Sequence, residues 1–175
     1  MTAPPRPPRL PAALAAAYAR TDYEAGGGAV ARIGRRSAAV DALLRRLGAR
    51  QGAFVTAWNP WSRRMPPGWN VRMLARLRDA ARRVPRAEGW GRGREPVPRA
   101  GWRVRPEPAG AWAERHLLLA ADPRRAAVLA RRFRQHAIVA VRAGAPARLV
   151  LTGGEPAASR PAESRTSGRI LSASH

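Results

Sequence analysis

The 175-residue chain contains no cysteine and no lysine. Without thiols it can form neither a disulfide nor a thiolate metal site, and nothing argues for an oxidising compartment. Acidic residues are scarce, 11 against 33 basic ones. Histidine is scarcer still: His116, His136 and His175 show no ligand spacing, so no metal site and no cofactor are expected. Long apolar runs are missing too, and none approaches the ~20 residues of a membrane span. Residues 10–18 are alanine-dominated and broken by Pro11, which reads as a surface helix rather than a signal peptide. The expected compartment is the cytoplasm.

What is present is arginine, 33 copies of it. A preference for GC-rich codons would replace lysine by arginine, but it would not thin out aspartate and glutamate. The formal net charge of +22 is therefore a property of the surface. Such a surface attracts polyanions such as RNA or DNA in a salt-dependent way. The plainer alternative is a solvated basic surface with no partner.

Hydrophobic periodicity divides the rest of the chain. Residues 1–9, rich in proline, form a disordered lead-in, and 152–175 a disordered tail. Between them, 10–151 is expected to be one domain. Leu10, Leu14 and Tyr18 mark a helical stripe. Gly26, Gly27 and Gly28 allow a hairpin between the Tyr23 region and a strand over 29–33. Ser37 caps a helix whose apolar face is Val40, Leu43, Leu44 and Leu47, with Gly48 as its stop. Residues 52–57 are a buried strand, and Asn70 is placed to cap the helix after it. On that helix Met73, Leu74, Leu77 and Ala81 oppose Arg72, Arg76, Arg78, Arg82 and Arg83. Residues 85–111 show neither period and are read as an Arg/Pro/Gly-rich loop. Strands at 117–120, 136–141 and 148–151 follow, with a helix opened by Asp122 and Pro123 among them. The alternation predicts an α/β or α+β fold: one mixed sheet of five to six strands, flanked by three to four helices.

Several short motifs fall in order along this frame: Tyr18 with Thr21 and Tyr23, Arg32-Ile33-Gly34, and Thr56-Ala57-Trp58-Asn59-Pro60. Ser62, Asn70, Glu114 and the string from Phe133 to Ala137 complete the series. Together they resemble a bacterial family carrying the Thr-Ala-Trp-Asn-Pro signature, the domain of unknown function DUF 3293. The resemblance covers about 10–151 and implies a small single-domain protein of the bacterial cytosol. It implies no activity. The 85–111 segment looks longer than the family pattern needs.

The stretch 52–71, a strand running into a polar loop, is where an α/β protein places a ligand. Thr56, Asn59, Ser62, Arg63 and Asn70 supply donors and acceptors there, and Arg32, Glu114 and Gln135 are candidates to converge with them. The competing structural reading makes Asn59 a turn former and Asn70 a helix cap. Glu114 with Arg32 or Arg131 reads as a structural ion pair. No nucleophile-elbow glycines surround Ser62, and no catalytic set is identified. Trp61 and Trp69 beside Arg64, Arg72, Arg76 and Arg83 form a second constellation, suited to stacking bases while holding phosphates.

Two functions follow. One is a binding module for nucleic acid or a nucleotide-like anion, using the 59–70 loop and the arginine face of the next helix. The other is a small enzyme or metabolite-binding protein, acting on a phosphorylated or carboxylated ligand at the end of the 52–58 strand.

Overall fold

The computed structural model describes residues 10–94 and 113–153. The expected lead-in over 1–9, most of the expected loop and most of the expected tail lie outside those residues. The chain runs α1 (Ala12–Ala19), β1 (Thr21–Ala25), β2 (Ala29–Ala31), α2 (Ala38–Arg46), β3 (Gln51–Thr56) and α3 (Pro67–Ala80). It continues with β4 (Arg86–Gly93), β5 (Ala113–Leu119), α4 (Pro123–Arg132), β6 (Ala137–Arg142) and β7 (Arg148–Leu151). The α+β class is as expected. The sheet, however, has seven strands in the order β2-β1-β4-β5-β3-β6-β7.

It is not mixed. Every pair of neighbouring strands is antiparallel. The one parallel pairing is an isolated bridge between Ile33 and Ala147. That bridge joins the region after β2 to the start of β7, the two edges of the sheet, so the sheet curls into a half-barrel. Gly34 N–H donates to Ala147 O at 2.8 Å, and Ala147 N–H to Arg35 O at 3.0 Å.

The seventh strand is β4, which occupies residues assigned from sequence to the 85–111 loop. Its alternation is invisible to a hydrophobicity pattern because the buried positions are Gly89 and Gly91. Local signals elsewhere act as their chemistry dictates. Glu24 Oε1 accepts from the N–H of Gly27 and of Gly28, closing the β1–β2 turn. Ser37 Oγ caps α2 through Val40 N–H, and Asp122 caps α4 through Arg124 N–H. Asn70 does not cap α3. The helix starts at Pro67, where proline fits the first turn, and this leaves Asn70 buried inside it.

Helices cover both faces of the sheet. On one face Tyr23, Ala31, Phe54, Leu118, Val139 and Val141 pack under Val40, Leu43 and Leu44 of α2, with Tyr18 of α1 at the margin. On the other, Ala53, Val55, Leu117, Leu119 and Ile138 meet Leu74 and Leu77 of α3 and Ala126 and Ala130 of α4. β3 lies inside the sheet between β5 and β6, buried on both faces, and so delivers its C-terminal end to a fixed place.

Candidate functional site

The end of β3 is tied down by its own polar side chains. Thr56 Oγ1 donates to Arg115 O on β5 at 2.8 Å and accepts from Trp58 N–H at 3.0 Å. This pulls the chain out of the ladder. Beyond it Asn59 has φ 47° and ψ 64°, a left-handed geometry that asparagine tolerates better than most residues. Trp61 and Ser62 follow with φ of 52° and 58°. Three left-handed residues in four turn the loop back on itself. Trp61 N–H donates to Arg134 O, holding the loop against the end of α4.

Asn59 is the hub. Its N–H donates to Asn70 Oδ1 at 3.1 Å, and its Oδ1 accepts from Met65 N–H at 2.9 Å and from Asn70 Nδ2 at 3.2 Å. Its Nδ2 donates to Glu114 Oε1 at 2.6 Å. One side chain thus joins the loop, α3 and β5. Gln135 does similar work nearby, donating from Nε2 to Trp58 O and to Phe133 O. Its own carbonyl accepts from Thr152 Oγ1, so Thr152 is a buried structural residue, although the tail was expected to begin there.

Of the eight residues expected to line a ligand site, five meet at this strand end: Thr56, Asn59, Asn70, Glu114 and Gln135. Thr56, the two asparagines and Gln135 bond to one another, to Glu114 and to backbone, so the cluster builds the loop. Arg32 does not join them. It forms a two-pronged pair with Asp22, at 2.8 and 2.9 Å, and Arg94 flanks the same carboxylate. The Arg32 bond holds the Asp22 carboxyl below its usual range. Of the two arginines expected as partners of Glu114, Arg32 is taken by the acid that β1 supplies, and Glu114 accepts from Asn59. Ser62 and Arg63 are exposed on the loop.

Sequence reasoning missed what lies behind Glu114. Residues two apart on a strand share a face, so Glu114 and His116 of β5 point the same way, toward Tyr23 and Phe54. That spacing was the available signal. The His116 ring lies 4.9 Å from Phe54, edge-on, and 6.1 Å from Tyr23, stacked. Nε2 is 2.7 Å from Glu24 O; a carbonyl only accepts, so the neutral ring carries its proton on Nε2. Burial pushes this imidazole down to about 4. Burial, with Glu114 as a further cause, pushes the hydroxyls of Tyr18 and Tyr23 up. All three rings are therefore neutral near pH 7.

The second constellation is spread over the loop and α3. Trp61 and Trp69 are half-buried, and the Trp61 ring sits 5.0 Å from that of His136. Arg64, Arg72, Arg76 and Arg83 are exposed. Arg72 and Arg76 stand one turn apart on α3, and neither they nor Arg83 form an ion pair among the described residues. Arg78 and Arg82, from the same expected face, are engaged with Glu88 and Asp79. Trp58 packs against Trp90 on the α3/α4 side of the sheet, opposite to Phe54, because β3 ends at Thr56 and its alternation stops there.

Residues 55–138 match the family model described as a protein of unknown function (DUF3293). Over that stretch the chain is similar to DUF3293. The match begins within β3 and ends within β6, so the matched segment contains the Thr56, Asn59, Asn70, Glu114 and Gln135 cluster and the arginine face of α3. Tyr18, Tyr23 and Arg32 lie outside it. No curated protein and no solved structure matches the chain. Among the described residues no helix is long and apolar enough to cross a membrane, and no three His, Cys, Asp or Glu side chains gather as metal ligands.

Proposed function

We propose that this chain is a cytoplasmic nucleic-acid-binding module. Its contact surface is the 59–70 loop together with Arg72, Arg76 and Arg83, with Trp61 and Trp69 as stacking partners. The carrying observation is the exposure of those three arginines, without carboxylate partners among the described residues; Arg72 and Arg76 share α3 with the half-buried Trp69, and Arg83 lies just past the helix end. The charge supports it as well. Within the described residues there are 25 arginines and seven acids, so the described part alone carries 25 − 7 = +18. The other reading, a metabolite site at the end of β3, has less support, since the amides there are engaged with each other and with backbone.

The test is filter binding of a short single-stranded RNA across a salt series. Binding should weaken steeply with salt. The triple variant Arg72→Ala/Arg76→Ala/Arg83→Ala should bind at least tenfold more weakly, with a log–log salt slope shallower by about 2. No binding by the unaltered chain at low salt, or an unchanged slope in the variant, rejects the reading.

A further inference from the structure

At the opposite end of β3 lies a cavity of about 370 Å³, lined by Gln51, Pro123, Ala140, Arg142, Pro146 and Arg148, among others. The register explains its composition. Gln51 of β3 pairs with Arg142 of β6, and Ala140 of β6 pairs with Arg148 of β7. Paired residues on antiparallel strands share a face, as do residues two apart on one strand. Gln51, Ala140, Arg142 and Arg148 therefore stand together on the face that α4 covers. Ala140 is the smallest of the four, and it leaves a depression between the start of α4 and two guanidinium groups.

Arg142 and Arg148 are exposed and form no ion pair among the described residues. The two acids of this neighbourhood pair with backbone and with neither arginine: Asp41 accepts from Gly144 N–H, and Asp122 from Arg124 N–H. The start of α4 has little to offer an anion, since Pro123 has no N–H and the N–H of Arg124 is taken. A ligand's charge would fall to the arginines alone. The volume exceeds what a bare phosphate fills and lies at the lower end of the range for small organic ligands, ~300–1,000 Å³.

We propose that this cavity is a second site, binding a nucleoside phosphate. The base lies against Pro123, Ala140 and Pro146, and the phosphate sits between Arg142 and Arg148. The Gln51 amide, donor and acceptor at once, bonds the base edge or the sugar. Five of the six residues named lie outside the matched family segment, Pro123 being the exception. The site shares no residue with the α3 surface, and either can fail without the other.

The experiment is calorimetric titration of the full chain with AMP. Saturable binding is expected, with inorganic phosphate at least tenfold weaker. The variant Arg142→Ala/Arg148→Ala, folded by its melting temperature, should lose at least tenfold in AMP affinity, and Gln51→Ala severalfold. Arg72→Ala/Arg76→Ala/Arg83→Ala should stay within twofold of the unaltered chain. Competition by a 5′-phosphorylated oligonucleotide would name strand ends as a source, and its absence the free nucleotide; either result retains the site. Lack of saturable AMP binding, equal binding of inorganic phosphate, or full affinity in the double arginine variant would overturn it.

Discussion

Asn59 concentrates more consequence than any other single side chain in the described structure. Its side-chain amide makes three hydrogen bonds, its N–H a fourth, and its backbone is left-handed. Removing the amide leaves Glu114, Asn70 and the Met65 N–H each short of a partner, at about 1–3 kcal/mol for a buried unsatisfied group. Alanine also carries a left-handed backbone penalty of about 1 kcal/mol. Asn59→Ala should therefore lose about 3 kcal/mol in urea denaturation. Asn59→Gly, free of the backbone penalty, should recover about 1 kcal/mol of that. If the two variants are equally stable, backbone strain plays no part in shaping the loop. His116 makes a different prediction. Its pKa is about 4 folded and 6.5 as a free side chain. Between those values the unfolded chain binds a proton that the folded chain refuses, so stability falls as pH drops from 6.5 to 4. The shift corresponds to about 3 kcal/mol over the window. The lowered carboxyls of Asp22 and Glu88 act lower on the scale, below their ordinary range near pH 4, so the two effects separate. In His116→Gln the stability–pH curve should be flat from 6.5 to 4; a slope equal to that of the unaltered chain would assign the dependence elsewhere.

Among the elements, β4 is the one that sequence reasoning could not see. Strand recognition depends on apolar residues at every second position, and here the inward positions are glycines. The structure supplies the reason for them. The Glu24 carbonyl takes a hydrogen bond from His116 across β4, and a Cβ on Gly89 would collide with that oxygen. At Gly91 the added Cβ would find His116 Nδ1 and a Thr21 methyl at 3.5 Å, an ordinary contact. Gly89→Ala should then cost at least about 3 kcal/mol or prevent folding, and Gly91→Ala no more than about 1 kcal/mol. Circular dichroism melts of the two proteins decide it, and similar melting points would show that β4 can shift to relieve the clash. Elements with conventional local chemistry were legible: the Ser37 and Asp122 caps, the glycine turn after β1, the leucine face of α2. Asn70 was misplaced because Pro67 starts α3 sooner than a side-chain cap would.

At the level of the whole molecule, the class of fold could be read and the order of strands could not. The pairings that define it, β1 with β4 and β3 with β5 and β6, join distant segments, and no local signal encodes them. Convergence at the site was half legible for the same reason. Thr56, Asn59 and Asn70 are near in sequence, whereas Glu114 and Gln135 arrive through the sheet. Arg32 went astray because the acid that takes it, Asp22, sits across the first hairpin. Net charge was the one global quantity available from the outset, and it persists within the described residues.

The junction of Ile33 with Ala147 has a consequence for how the chain is made. The hairpin of β1 and β2 is synthesised well before the strand that meets its outer side, which is nearly the last of the described segments. Translation adds ~5–20 residues per second. The first hairpin therefore waits on the order of ten seconds for the segment that covers it. Until then the backbone groups of that edge lack their final partners, and the high net charge of the chain opposes its association with another copy.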